Sequence, residues 1–558
     1  MKRSEEKSSS SEGARPIPPG DAANSAARLD SWKEIANYLK REVRTAQRWE
    51  KLEHLPVHRH QHDKLGSVYA FPAELDRWWK ERRPRLESEN VAEGAAGGRL
   101  RLAVLPFENL SGNPEEEYFA DGMTEEMIAQ FGRLHPEQLS VIARTSMMQY
   151  KGTRKTIEQV GRDLHVDAVL EGSVRRAADR LRITAQLIQV SDQSHLWAET
   201  YDRTVADVLE IQTSVAEHIA KSLEVQLMPK PQPKPAASTR NSAAHDAYLR
   251  GRYFWNRRTE PEFFRAIEYF KSAVEMDPNF ALAHSGLADI YNTLGWYGVL
   301  TGKEAWERAE TAARKALAID KDLAEAHTSL AFTLHSFAWD WTASGQEYRR
   351  AIELDPNYVT AHQWYAFYLM ALGRLEEAAE QMNQGLALDP LSLVLNSYLG
   401  WVHYFSRKYD QAIKQIQKTL DMEPKFLIAH FILGLTYAQK KMPKEAIREF
   451  QLAREIMGES VLVLTGLAHV NGLAGKTAEA KRYLQKLRLL AKTQHVSPYQ
   501  IAYACAGCGM KEEAFKELDL AVEERASWLV HLRIEPGLDK LRSDPRFEKI
   551  AARLQLPK

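Results

Sequence analysis

Small, large and helix-breaking residues recur on one clock through the second half of the chain. Pro356, Pro390, Pro424 and Gly458 follow one another at intervals of 34 residues, as do Ala366, Gly400, Gly434 and Ala468, and Ala378, Ala412, Ala446 and Ala480. Three positional classes locked to one period predict a stack of antiparallel helix pairs. Small residues let paired helices approach, while Tyr365, Leu399, Leu433 and Leu467 fill the seam and the breaker ends each second helix. Earlier units fit with insertions: Pro278 and Lys321 precede Pro356, and Ala273, Ala316 and Ala351 each stand five residues before the break. The interval from Pro278 to Lys321 is longer by about nine residues, placed around 294–306, LGWYGVLTGKEAW. With a further pair predicted at 499–525, about eight units span 244–532, and residues 533–558 form a cap around LRSDPRF.

The first half divides at changes of composition. Residues 1–28 are rich in Ser, Gly, Pro and Ala and predict a disordered tail; 86–99 and the Pro/Lys-rich 228–243 predict linkers. Between the tail and the first linker, residues 29–85 read helix, turn, helix, two short strands, helix. Ser31 and Glu34 form a capping box ahead of Trp32, Ile35, Ala36 and Leu39. A second helix over 43–53 places Val43, Ala46, Trp49 and Leu52 on one side, with Arg44, Gln47, Arg48 and Lys51 opposite. That division suits a recognition helix, with one face packed on its own domain and the other offered to a major groove, Thr45 lying near the backbone. Strands at 57–61 and 67–71, joined at 63–66, predict a wing from which Arg59, His60 and Lys64 reach phosphates. Pro72 opens a last helix with Leu75, Trp78 and Trp79 inward.

Residues 100–227 alternate strands and helices: strand 102–107, helix 121–131, strand 139–143, helix 156–164, a hairpin of 166–176 and 180–190, strand 195–201, and a closing helix 205–227. This predicts an α/β domain of two or three layers. The predicted fold class is therefore multidomain: a small α+β winged helix-turn-helix, an α/β middle domain and an all-α superhelix.

Three resemblances follow from these residues. The 34-residue pattern resembles the tetratricopeptide repeat, which implies a protein or peptide partner on the concave face. The string SWKEIANYLKREVRTAQRWEKLEHLPV…SVYAFPAELDRWW resembles the winged helix-turn-helix of the MerR and excisionase families. It implies double-stranded DNA as a partner, although that family's long dimerisation helix does not follow, so a homodimer would need another contact. LAVLPFENLSGNPEEEYFADGMTEEM, VDAVLEGSVRR and HLWAETYDR resemble the TolB N-terminal-like, or FlgO-like, domain. In CadC-like bacterial regulators that domain stands between an output module and tetratricopeptide repeats.

Charge and composition alter this picture only locally. The 558 residues carry no net charge, but residues 30–85 hold 13 Lys/Arg against 9 Asp/Glu, as a small DNA reader would. No apolar window is long enough to span a membrane, and the chain reads as cytoplasmic. No phosphate-cradling glycine loop, nucleophile elbow or zinc helix motif occurs, so neither catalysis nor a cofactor is expected. His54, His58, His60 and His62 lack a cysteine or carboxylate partner set, and Cys505 and Cys508, the two cysteines, fall where a repeat helix needs small side chains, so no metal site is expected. Arg175, Arg176 and Glu171 read as strand surface. The expected function is a DNA-binding transcriptional regulator whose repeats receive a signal; the alternative is a cytoplasmic interaction scaffold with no DNA role.

Overall fold

In the computed structural model the described residues are 28–38, 50, 55–59, 68–78, 99–134, 136, 138–177, 180–204, 207–223 and 239–556. They form two compact units, divided after Gly97.

In the first unit, helix α1 (Trp32–Tyr38) opens with the predicted cap: Ser31 Oγ accepts from the Glu34 N–H at 3.2 Å, and the Glu34 carboxylate accepts from the Asp30 N–H at 2.8 Å. Strands β1 (His58–Arg59) and β2 (Val68–Tyr69) pair antiparallel, and α2 (72–78) follows. Ile35, Ala36, Leu55, Val68, Ala70 and Leu75 make the core. Of the predicted strand positions, Val57 and Phe71 fall outside the strands, and 60, 61 and 67 lie outside the described residues. The predicted second helix lies outside the described residues except for Glu50.

The second unit begins with a mixed sheet. Strands β3 (Leu100–Val104), β5 (Leu139–Val141) and β6 (Ala168–Ala177) are parallel, in the order β5-β3-β6. The short β4 (Glu108–Asn109) also pairs with β6. From β6 the sheet continues antiparallel through β7 (Arg180–Gln189) to β8 (His195–Thr204), the hairpin read from the sequence. Alternate residues face opposite ways along a strand. Thus Leu102, Val104 and Leu170 pack under α3 (Glu117–Leu134) and α6 (Val208–Ser222). Ala103 and Val169 pack beneath α4 (Arg144–Met148) and α5 (Ile157–Leu164). Helix α4 was not predicted, and α3 begins earlier than predicted.

Eight helix pairs follow, from Ser242–Asn256 with Glu260–Met276 to Pro498–Gly507 with Lys511–Glu523. The 34-residue clock corresponds to contacts. A Cβ at Gly400 would come within 2.5 Å of Ile416, and one at Gly434 within 2.6 Å of Phe450. The extra residues of pair two lengthen both helices, Ala281–Trp296 and Gly302–Ile319. Short helices Ser527–His531, Pro536–Leu541 and Pro545–Arg553 complete the C-terminus.

The Pro/Lys segment does not separate two cores. Phe119, Met123 and Met127 of α3 share one buried cluster with Ala244, Tyr248, Leu249 and Phe270 of pair one. A Cβ at Gly122 would lie 2.9 Å from the Leu249 side chain, so the two helices cross at close range. Arg176 is corrected as well: it is not free strand surface but bonds Asp246 of pair one at 2.6 Å and Tyr118 Oη at 2.9 Å.

Candidate functional site

The predicted DNA face is represented among the described residues by Arg59 alone. Its guanidinium is exposed and meets the Glu50 carboxylate at 2.5 Å, a partner that a phosphate would have to replace. Arg44, Thr45, Gln47, Arg48, Lys51, His60 and Lys64 lie outside the described residues. His58 meets Glu74 at 2.6 Å and stacks on Tyr69.

The second candidate is a channel of about 2470 Å³ inside the second unit, walled by α3 on one side and by the first helices of successive repeat pairs on the other. The array closes around it because its far end returns to pair two. His495 Nδ1 donates to the Gly298 carbonyl at 2.7 Å, Trp528 Nε1 to the Trp296 carbonyl at 3.2 Å, and the Lys303 N–H to the Glu524 carbonyl at 3.1 Å. Arg525 lies over the rings of Trp306 and Trp339 and donates to the Phe337 carbonyl at 2.6 Å. The inserted aromatic segment is thus mostly a packed seat for the C-terminal turn, with Trp296 stacked on Phe367. Tyr297, nearly half exposed, faces the channel.

The α/β domain closes the opposite side through polar contacts. Asp389 accepts from the Ser146 N–H at 2.8 Å and its hydroxyl at 2.5 Å, while the Ala143 N–H donates to the Leu388 carbonyl at 2.8 Å. Asn357 donates to the Gly132 carbonyl at 2.8 Å, and Arg133 pairs with Glu325 and, at 3.8 Å, with Asp355. His245 meets Glu126 at 2.6 Å; burial opposes its charge, but the carboxylate prevails and raises its pKa. Burial likewise works against Glu125, yet Arg252 and Arg144 hold it below the usual carboxylate range. Burial pushes Asp289, Asp355 and Asp389 up to about 6 despite their partners.

Each turn inside a pair places one residue in the left-handed region, where glycine is least strained. Gly298, Gly373, Gly475 and Gly509 fill four of these positions; Arg258, Trp339, Arg407 and Lys441 fill the others. Arg407 makes two bonds to Asp539 of the C-terminal cap, at 2.7 and 2.9 Å, and Trp339 carries Arg525. Arg258 enters the channel. A second regularity went unread in the sequence: His284, His327, His362, Asn396 and His430 each donate to the carbonyl six residues earlier, at the helix-breaking position. Three of them, His362, Asn396 and His430, stand 34 apart. Cys505 is packed inside a repeat helix, where burial pushes its thiol up to about 12.

Residues 98–218 match the family described as the HilA/YgeH-like transcriptional regulator, second domain, and residues 347–380 and 399–459 match tetratricopeptide repeats. The chain therefore carries a HilA/YgeH-like regulator domain joined to a tetratricopeptide array. The Transcriptional regulator HilA of Salmonella typhimurium is 22% identical over 309 residues, 54% of this chain and 53% of that protein. The Putative adenylate cyclase 3 of Rhizobium meliloti is 40% identical over 190 residues, 34% of this chain and 32% of that protein. The chain thus spans a third to a half of the curated relatives it matches. The expectation that the chain is not an enzyme is overturned by this second relative, which is named as one. The human IFIT1 dimer with m7Gppp-AAAA is 15% identical, with a TM-score of 0.42, over 63% of this chain and 79% of that chain. Among the described residues no helix is long and apolar enough to cross a membrane.

Proposed function

We propose that the protein is a DNA-binding transcriptional regulator in which residues 29–85 read DNA and the repeat array receives a protein or peptide signal. The observation that carries this reading is the HilA/YgeH-like regulator domain at 98–218, fused through a common core to the first repeat pair. A domain of regulators built into the wall of the channel is a direct route from an occupied repeat surface to the output end. On the DNA side, Arg44, Gln47, Arg48 and Lys51 contact the major groove, Thr45 the backbone, and Arg59, His60 and Lys64 the flanking phosphates. A winged helix-turn-helix of the MerR/excisionase kind is the fold that suits these roles.

The test is fluorescence anisotropy of the full chain with genomic DNA fragments over a range of salt concentrations. Affinity should fall steeply with salt, because each neutralised phosphate releases counterions, and Arg48→Ala should weaken binding. A flat salt response, together with pull-downs that keep the same partners after nuclease treatment, would instead support an interaction scaffold with no DNA role.

A further inference from the structure

Two guanidiniums lie against the indole of Trp255: the Arg252 carbon is 4.5 Å from the ring centre and that of Arg258 is 3.9 Å. Their surroundings differ. Arg252 donates to Glu125 at 2.8 Å and has Asp289 at 3.6 Å, so its charge is matched twice. Arg258 makes no side-chain hydrogen bond or ion pair among the described residues. The nearby acids are engaged elsewhere: Glu125 and Asp289 with Arg252, Glu325 and Asp355 with Arg133, and Asp389 with Ser146. Glu260 also lines the channel and is exposed, without an ion pair to Arg258.

The Arg258 side chain is exposed to the channel, so its guanidinium is open to a solute entering there. Desolvation by the channel wall, and the like charge of Arg252, push the Arg258 pKa down against the opposing pull of Tyr297, Tyr398 and Asp289. The surrounding wall is aromatic: Trp255, Tyr297 and Tyr398 line the same channel, and Tyr297 stacks on Phe263 at 6.0 Å. The channel is flanked by the C-terminal turn and by the α/β domain, and its volume admits a small solute or an extended segment but not a folded partner.

We propose that the Arg258–Trp255 corner binds a small amphipathic organic anion, its acid group on the guanidinium and its apolar body against Trp255, Tyr297 and Tyr398. A charge-assisted, bidentate contact supplies the discrimination, and the aromatic walls supply the buried area. The channel is larger than the roughly 300–1,000 Å³ of ordinary ligand sites, so such an anion fills one corner and leaves room for a peptide. This holds whether or not residues 29–85 bind DNA.

Titration calorimetry on the full chain, with naphthalene-2-carboxylate and its neutral analogue 2-naphthamide as probes, tests the proposal. The carboxylate should bind about tenfold more tightly than the amide, and its affinity alone should fall with added salt. Arg258→Gln should erase the preference, and Arg258→Lys should keep part of it. Equal affinity for the two probes, or a preference that survives in Arg258→Gln, overturns the proposal. So does binding of an acidic peptide by a channel that takes neither probe. If Arg258→Gln does not fold, the salt dependence of the carboxylate in the unaltered protein decides, a flat response being the overturning result.

Discussion

His430 stands between two acceptors: its Nδ1 lies 2.8 Å from the Glu449 carboxylate and its Nε2 lies 2.9 Å from the Pro424 carbonyl. Neither an ionised carboxylate nor a carbonyl can donate, so both ring nitrogens must carry hydrogen and the imidazole is held charged. His327 is placed in the same way between Glu347 and the Lys321 carbonyl. The hydrogen bond to Glu449 outweighs burial and raises the His430 pKa.

The sign of the resulting pH dependence is fixed. A histidine whose folded pKa is raised contributes stability that is complete below its unfolded value of about 6.5 and is lost as pH rises through the folded pKa. Pair five makes the same tie without charge: Asn396 donates to the Pro390 carbonyl and accepts from Gln415 at 2.8 Å. The double variant His430→Asn with Glu449→Gln copies that arrangement. Its urea midpoint should change less between about pH 6 and about pH 8 than that of the unaltered protein. Equal slopes would show that the tie carries no titrating charge.

Asp389 carries a linkage at lower pH. Its folded pKa, pushed up to about 6 by burial, means that its contribution is complete below the unfolded value and declines as pH rises through the folded one. Asn at this position can still accept from the Ser146 N–H and hydroxyl. Asp389→Asn should therefore be more stable than the unaltered protein near neutral pH, by about 1–3 kcal/mol, with the difference shrinking toward about pH 4. Thermal unfolding of the two proteins over that range measures it, and a difference independent of pH would refute the assignment.

How much of this could be read from the sequence depended on range. The helix pairs were legible because Gly400 meets Ile416 and Gly434 meets Phe450 at one fixed spacing, a local rule repeated. The histidine ties obey the same clock and were equally readable, but a lone His on a helix carries no signal until its acceptor six residues back is known. Closure of the array was not legible. Nothing in His495 announces the Gly298 carbonyl 197 residues away, and LGWYGVLTGKEAW reads as a loop until its seat is seen. The Pro/Lys segment marked a change of chain composition and not a break in packing, because Gly122 and Leu249 make their close approach across it. Arg258 was missed for a related reason: one arginine in a turn is unremarkable until its missing counterion is known.

Turn positions 339 and 441 are equivalent in the repeat and should respond oppositely to glycine. Lys441 has φ 60° and makes no side-chain contact with an acid among the described residues, so Lys441→Gly should relieve strain and stabilise by about 1 kcal/mol. Trp339 has φ 61°, but its ring is buried and carries Arg525. Trp339→Gly should destabilise by roughly 2–4 kcal/mol, the loss of a buried aromatic less the same relief. Denaturant unfolding of the two variants provides the comparison, and a shared sign would remove the argument.

Closure of the array also requires one small residue. A Cβ at Gly302, the first residue of its helix, would collide with the Arg525 carbonyl, a backbone atom held by the Phe337 contact of its own side chain and by the bond from the Lys303 N–H to the Glu524 carbonyl. Backbone cannot move aside as a flexible side chain can, so Gly302→Ala must displace the turn at 524–527 from pair two. The cost should be about 1–3 kcal/mol, and its distinctive mark is local. His495, Arg525 and Trp528 lose their seats together, while the core shared by α3 and pair one is untouched. Small-angle scattering should report a larger radius of gyration, and limited proteolysis should cut first near Arg525. Arg525→Ala, which removes the side-chain anchor and leaves the carbonyl in place, should open the ring less. An unchanged scattering profile in Gly302→Ala would mean that the ring is held elsewhere.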